Sequence, residues 1–471
     1  MKKLILTALL ITIVASVAIA EDYDRSAGNV VYVVHAVDTE SDSLDEFSFN
    51  QELLLANYNS GGIISTVFDS TWRNAHVDSY GRPTRITWFL MTHEAHCRST
   101  QGCNAIPEVM LGNFADQIDR WGDEIGWHYH HSDWVNNEWQ SLNTFDGTIY
   151  RQQPDTELAV DQLAMWVLEN GFFPESFRAG WTWENTDFSN WLERLIVYDF
   201  SNYWSNVPAG KNQWDPYHPS AEDYRAEGTM RRWIAKCKPG GLTQADVDDA
   251  FQLAQTEGRA VLSFYSHSYF APTIHSDQGV VEGWLQNASQ LYGVPFRYVG
   301  AKEAMQLWAG ETDIIPPEIT TLIINRILHV ETNEDLQGPP FLALRHADGS
   351  HSGHFMSPTG QYQWDYILSD STVTIAAVAL TDLAGNQNTS EELTYFDMCT
   401  VPNPECGDVD GNGWSKLPDD LVFLVAYLFQ GGHAPCDLNT ADMDGSGAIN
   451  VGDLMRLVGY LFIGGPPPAC P

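Results

Sequence analysis

Residues 122–134 read Gly-Asp-Glu-Ile-Gly-Trp-His-Tyr-His-His-Ser-Asp-Trp. As a β-strand this run divides by side, with Glu124, Gly126, His128 and His130 on one face and Ile125, Trp127 and Tyr129 on the other. One face is polar and the other apolar. Two neutral imidazoles at i and i+2 on one strand face can converge on a single metal ion. Gly126 beneath them would leave room for a ligand, while Trp127 and Tyr129 give the other face something to bury. The competing reading is a strand whose histidines only form hydrogen bonds. The spacing favours the metal.

Outward from this stretch the chain alternates strand and helix. Residues 30–37, Val-Val-Tyr-Val-Val-His-Ala-Val, form an almost unbroken β-branched run ending in Asp38, Thr39 and Glu40, as expected of a strand buried on both faces. Similar runs cover 85–90, 125–130, 176–179 and 260–267, with helical patterns over 107–121, 156–170, 185–195 and 244–257. Such alternation predicts an α/β fold with a parallel sheet, open or closed. Asp38, the histidines at 128–131, Arg178 and His267 each fall at or just past the C-terminal end of a predicted strand. That edge is where α/β folds build their sites.

Four segments then fall in order: His-Ala-Val-Asp-Thr-Glu at 35–40, Gly-Asp-Glu-Ile-Gly-Trp-His-Tyr-His at 122–130, Phe-Arg-Ala-Gly-Trp at 177–181 and Leu-Ser-Phe-Tyr-Ser-His at 262–267. Together they resemble the motifs of the polysaccharide deacetylases, carbohydrate esterase family four, over residues 29–307. The resemblance implies a (β/α) barrel and a divalent metal, zinc from its mixed carboxylate and imidazole ligands. It also implies a hydrolase that removes acetyl groups from a polysaccharide or glycan. Carried over residue by residue, it makes Asp38 the general base, Arg178 the group that keeps Asp38 ionised, and His267 the proton donor to the leaving group. The metal ligands would be Glu40, His128 and His130. The pattern departs from the family in two places. The family has adjacent aspartates where this chain has Asp38, Thr39 and Glu40, so the roles of Asp38 and Glu40 can be exchanged. It also spaces its histidines four apart, where Ser132 stands here, leaving His130 or His131; His130 shares the strand face of His128.

Residues 1–20 have Lys2 and Lys3, an apolar run and Ala-Ile-Ala before Glu21, the layout of a cleaved secretory signal. The expected product is secreted, with no membrane segment after cleavage. A net charge of −38 over 471 residues argues against nucleic acid and anionic membranes as partners. Seven cysteines in an exported chain predict disulfides, Cys97 with Cys103 across a short loop and Cys399, Cys406, Cys436 and Cys470 in any of three pairings, with Cys237 left over.

The remaining boundaries follow from texture. A hydrolase unit is expected over 21–311, then a proline break and short β-rich runs over 315–398. Those runs predict a small β-sandwich similar to bacterial immunoglobulin-like modules, read as a spacer. Within 403–471 a repeat occurs: Leu-x-x-Leu-Val-x-Tyr-Leu-Phe-x-Gly-Gly begins at Leu421 and again at Leu454. Each copy is an amphipathic helix pattern preceded by an acidic loop. Calcium is expected on Asp408, Asp410, Asn412 and Asp420 in the first loop and on Asp442, Asp444, Ser446 and Asp453 in the second, by the oxygen spacing of an EF-hand. In the first loop Asp419 occupies position 12, so the use of Asp420 requires one extra residue. The paired loops resemble dockerin domains, which implies a cohesin-like or cell-surface scaffold as partner. Two other functions compete with the deacetylase: a catalytically silent carbohydrate-binding surface protein, and a metal-dependent hydrolase of a non-acetyl amide.

Overall fold

The computed structural model describes residues 28–39, 56–93, 104–130, 132–135, 138–141, 156–182, 184–202, 208–239, 242–268, 271–324, 327–370, 372–394, 405–411, 415–416, 418–429, 435 and 437–471. The expected leader, Glu40, His131, Asn412, Cys97, Cys103, Cys399 and Cys436 lie outside them.

Strand β1 (Val30–Thr39) is buried along its whole length. It is central because strands cover it on both sides: β2 (Ile86–His93) on one and β10 (Arg259–His267) on the other, both parallel to it. The intervening strands are β3 (Glu124–His130), the hairpin partners β4 (Ser132–Val135) and β5 (Glu138–Ser141), β6 (Ser176–Ala179), β7 (Tyr198–Asn202), β8 (Trp233–Lys236) and β9 (Lys238–Pro239). The parallel sheet runs β8-β7-β6-β3-β2-β1-β10-β9, with β11 (Phe296–Tyr298) also on β1. It curls into a half-barrel. Among the described residues no strand pairing joins β8 to β9.

The helices come from local signals. Helix α1 (Ser70–Ala75) is capped by Asp69, whose carboxylate accepts from the backbone of Thr71 and Trp72. Helix α2 (Ala105–Trp121) stops where Gly122 takes the left-handed conformation, φ 63°. Helix α3 (Thr156–Met165) continues as a wider turn to Asn170. Helix α4 (Thr186–Leu192) is capped by Asn185, and α5 (Gln244–Glu257) starts in a capping box of Thr243 and Asp246. Helices α6 (Ala271–Tyr292) and α7 (Ala301–Ala309) follow.

Alternation along β1 feeds two separate cores. Val31 and Val33 pack with Phe251 of α5 and Leu285 of α6 on the outer face. Val30, Tyr32, Val34 and Ala36 pack with Phe89, Phe200 and Met305 on the inner face. Asp38 shares the parity of the inner set, so it emerges above an apolar plug.

Two antiparallel sheets follow. One holds β12 (Thr320–Ile324), β13 (Ile327–Glu331), β16 (Ser357–Gly360) and β17 (Gln363–Ile367); the other holds β14 (Phe341–His346), β15 (His351–Phe355), β18 (Val373–Thr381), β19 (Gln387–Thr389) and β20 (Leu393–Thr394). The second of these sheets shares a core with the parallel one. On β14 and β18, Leu342, Leu344, Ala376 and Val378 fill the space between the sheets, while Phe341, Ala343, Ala377 and Ala379 face the core that contains Phe173 and Leu163. The second sheet is therefore buried on both faces, one of them against α3. Buried polar contacts fasten the junction: the Tyr198 hydroxyl and the Gln306 amide both donate to the carbonyl of Ala384, at 2.7 and 2.8 Å.

At the C-terminal end, α8 (Pro418–Phe429), α9 (Leu438–Ala441) and α10 (Val451–Val458) enclose a small core of Leu424, Met443 and Leu457. Of the three pairings open from sequence, a Cys406–Cys470 disulfide forms, and Cys237 is free and buried, as expected.

Candidate functional site

Strand register assembles the site. Asp38 is the β-ladder partner of His267, His93 of His130, and His128 of Arg178. Parallel strands in this register deliver Asp38, His93, His128, His130, Arg178 and His267 to one edge, the C-terminal one.

His128 is fixed by its neighbour strand. Its Nδ1 lies 2.9 Å from the carbonyl oxygen of Arg178, which can only accept, so Nδ1 carries a proton and, in the neutral ring, Nε2 presents a lone pair. That Nε2 lies 2.8 Å from Nε2 of His130 and 4.0 Å from Oδ2 of Asp38. The three side chains are almost wholly buried. Arg178 donates from Nε to both oxygens of Asp38, at 2.8 and 2.9 Å, and from a terminal nitrogen to the carbonyl of Phe200. Burial opposes its charge, yet Asp38 beside it holds the guanidinium above the usual arginine range. The ring of Tyr265 lies 3.7 Å beneath the guanidinium carbon and meets His267 edge-on, with ring centroids 5.4 Å apart. His267 is the more open member, partly exposed where the others are sealed.

Two imidazole nitrogens 2.8 Å apart, with a carboxylate oxygen 4.0 Å from the first, are donor types that suit a zinc-type ion. Glu40 lies outside the described residues. Gly126 does not provide the expected space: a Cβ there would collide with the ring of Phe89 and the hydroxyl of Ser176, so its role is close packing below the histidines. Glu124, on the same strand face, serves the opposite end. Its carboxylate accepts from the backbone of Lys302 at 2.7 Å and Glu303 at 3.0 Å, capping α7. Burial pushes that carboxyl up to about 7, with Glu175 acting in the same direction. Asp123 is likewise structural, bound by both terminal nitrogens of Arg73 and by the indole of Trp88.

Three residues at this edge escape the sequence reading. His93 ends β2, which runs three residues beyond the predicted Leu90, and its ring stacks on His130 at 5.4 Å. Its signal was its position at a strand end. Tyr265 sits two residues before His267 and is recognisable only through its packing. Asp277, on α6, receives a hydrogen bond from Ser266 at 2.7 Å and lies near enough to His267 to feel its charge. Burial raises its carboxyl.

In the C-terminal repeat, Asp408, Asp410 and Asp420 bring carboxylate oxygens within 4.8 Å of one another, as do Asp442, Asp444 and Asp453. Asp420 thus stands with the first pair, one place beyond the EF-hand spacing. Ser446 donates its backbone N–H to Asp442 and to Asp444, at 2.9 and 3.0 Å.

No family model matches the chain, and no curated protein matches it. Among solved structures, the crystal structure of an engineered protein at 1.98 Å aligns over 79% of this chain and 93% of that one, at 9% identity and a TM-score of 0.25. At that score the likeness carries no argument.

Proposed function

We propose that the protein is a secreted metal-dependent hydrolase that removes acetyl groups from a polysaccharide or glycan. The observation that carries this reading is the pair His128 and His130, whose Nε2 atoms meet at 2.8 Å beside an Arg178-held Asp38. His128, His130 and Glu40 would hold the ion, a zinc-type cation whose Lewis acidity would act on the acetyl carbonyl. Asp38 accepts the proton of the attacking water. Arg178 holds both carboxylate oxygens and so keeps that base aimed. As the acetyl carbon–nitrogen or carbon–oxygen bond breaks, His267 donates a proton to the departing amine or alcohol. Its partial exposure suits a residue that must meet a polymer.

The C-terminal segment is, in this reading, a dockerin-like calcium module that attaches the enzyme to a cohesin-like or cell-surface scaffold. Its supports are the two carboxylate clusters and the exposed apolar side chains that recur at equivalent places in the repeat, Val422 with Met455 and Phe429 with Phe462. The Cys406–Cys470 disulfide supports an oxidising, extracellular setting, and no described helix is long and apolar enough to cross a membrane.

The test is metal analysis of the purified protein together with acetate release from chitin, xylan and peptidoglycan. Zinc with acetate release is the expected result. Zinc without acetate from any acetylated polymer would transfer the site to another amide, and the absence of both would leave a carbohydrate-binding surface protein.

A further inference from the structure

The ring of His130 is held by two neighbours. One is His93, in register with it across β2 and β3, its ring inclined by only 20° at a centroid separation of 5.4 Å. The other is Gly180, the first residue after β6, where a Cβ would overlap Cγ of His130. Both histidines are 3% exposed, and Gly180 is buried. His128 meets His130 edge-on, at 82°, with the two Nε2 atoms 2.8 Å apart, a meeting that depends on how the His130 ring is set.

We propose that His93 and Gly180 are a clamp on His130: a stacked ring and a close backbone contact that together fix its ring plane so that Nε2 faces Nε2 of His128. His93 is then a positioning residue for the metal centre, a role that rests on the metal reading given above. The clamp needs a flat ring at position 93 and no side chain at position 180. It does not need a nitrogen at position 93. In the neutral pair, Nε2 of His128 accepts a hydrogen bond from the Nε2–H tautomer of His130.

The experiment compares the full-length unaltered protein with His93→Ala, His93→Phe and Gly180→Ala in two measurements. One is zinc affinity by competition with a chromophoric chelator. The other is the tautomer of His130 in metal-free protein, read from long-range imidazole nitrogen–proton spectra. His93→Ala is expected to weaken zinc about 10–100-fold, the usual effect of losing a group that orients a ligand, and to mix the His130 tautomers. His93→Phe should keep the affinity and the single tautomer, while Gly180→Ala should lose both. If His93→Phe loses as much zinc as His93→Ala, the nitrogen matters and the clamp is overturned. Unchanged affinity and tautomer in His93→Ala would also overturn it. Should the unaltered protein bind no zinc, the metal reading fails, and the tautomer measurement alone decides the clamp.

Discussion

Nε2 of His128 and Nε2 of His130 face each other at 2.8 Å, and the other nitrogen of His128 is committed to the carbonyl of Arg178. One strand supplies both rings because residues two apart share a face, and the next strand sets which nitrogen is available.

His128→Ala and His130→Ala should therefore each abolish bound zinc, while His131→Ala, one residue out of phase, should leave most of it. Metal analysis of the three purified variants decides the matter. Equal loss in the variants at 130 and 131 would reassign the second ligand.

The two acids differ in what their removal should cost. Asp38→Asn is expected to keep zinc and lose turnover, and Glu40→Gln to lose both, since a base can be removed without releasing the ion. The reverse pattern would make Asp38 the ligand, which its 4.0 Å approach to Nε2 of His128 allows. Arg178→Met leaves the Asp38 charge buried without its partner, both side chains being at most 2% exposed. A loss of about 3–5 kcal/mol in urea unfolding is expected.

His35 gives a pH test of stability. Its ring stacks on Phe264, and its nitrogens meet Gln278 at 2.9 Å and Ser266 at 3.0 Å. Burial pushes the imidazole down to about 3. In the unfolded chain it takes a proton near pH 6.5. Between these values the unfolded state binds more protons, so this group's contribution to stability falls as pH drops from about 6.5 toward 3, by up to about 1.4 kcal/mol per pH unit. Glu124, raised to about 7, acts with the opposite sign between about pH 7 and its unfolded value, so the comparison must be with a variant. His35→Gln should show a shallower dependence of the urea midpoint between pH 6.5 and 4. An unchanged slope would mean that His35 is protonated in the folded state.

Calcium should order the C-terminal repeat and spare the parallel sheet. Asp408, Asp410 and Asp420, and separately Asp442, Asp444 and Asp453, hold carboxylates close enough to repel one another without a cation. Chelation should speed proteolysis after residue 405 while the parallel sheet resists. Identical digestion patterns with calcium and with chelator would show that the repeat does not depend on the ion.

Much of this was legible in the chain. The β-branched run of β1, the helix that opens at Asn185, and the placement of Asp38, His128, Arg178 and His267 at strand ends are local facts, set by side-chain shape and by hydrogen bonding within a few residues. Helix α6 was not recognised, because its apolar positions are interrupted by glycine and polar residues and its stability comes from packing on α5 and β10.

The sequence by itself determined that β3 has a polar and an apolar face and that its two histidines lie together, because alternation is a property of the strand alone. It could not say that Gly126 seats Phe89, that Glu124 caps a helix starting at Ala301, or that His93 stacks on His130. Nor could it say that Phe341 and Ala377 join the core of the parallel sheet while Leu342 and Val378 fill the space between the antiparallel ones. Those relations join residues tens to hundreds of positions apart. Only tertiary structure decides them, because strand order and register, and the close packing they impose, choose which distant side chains meet.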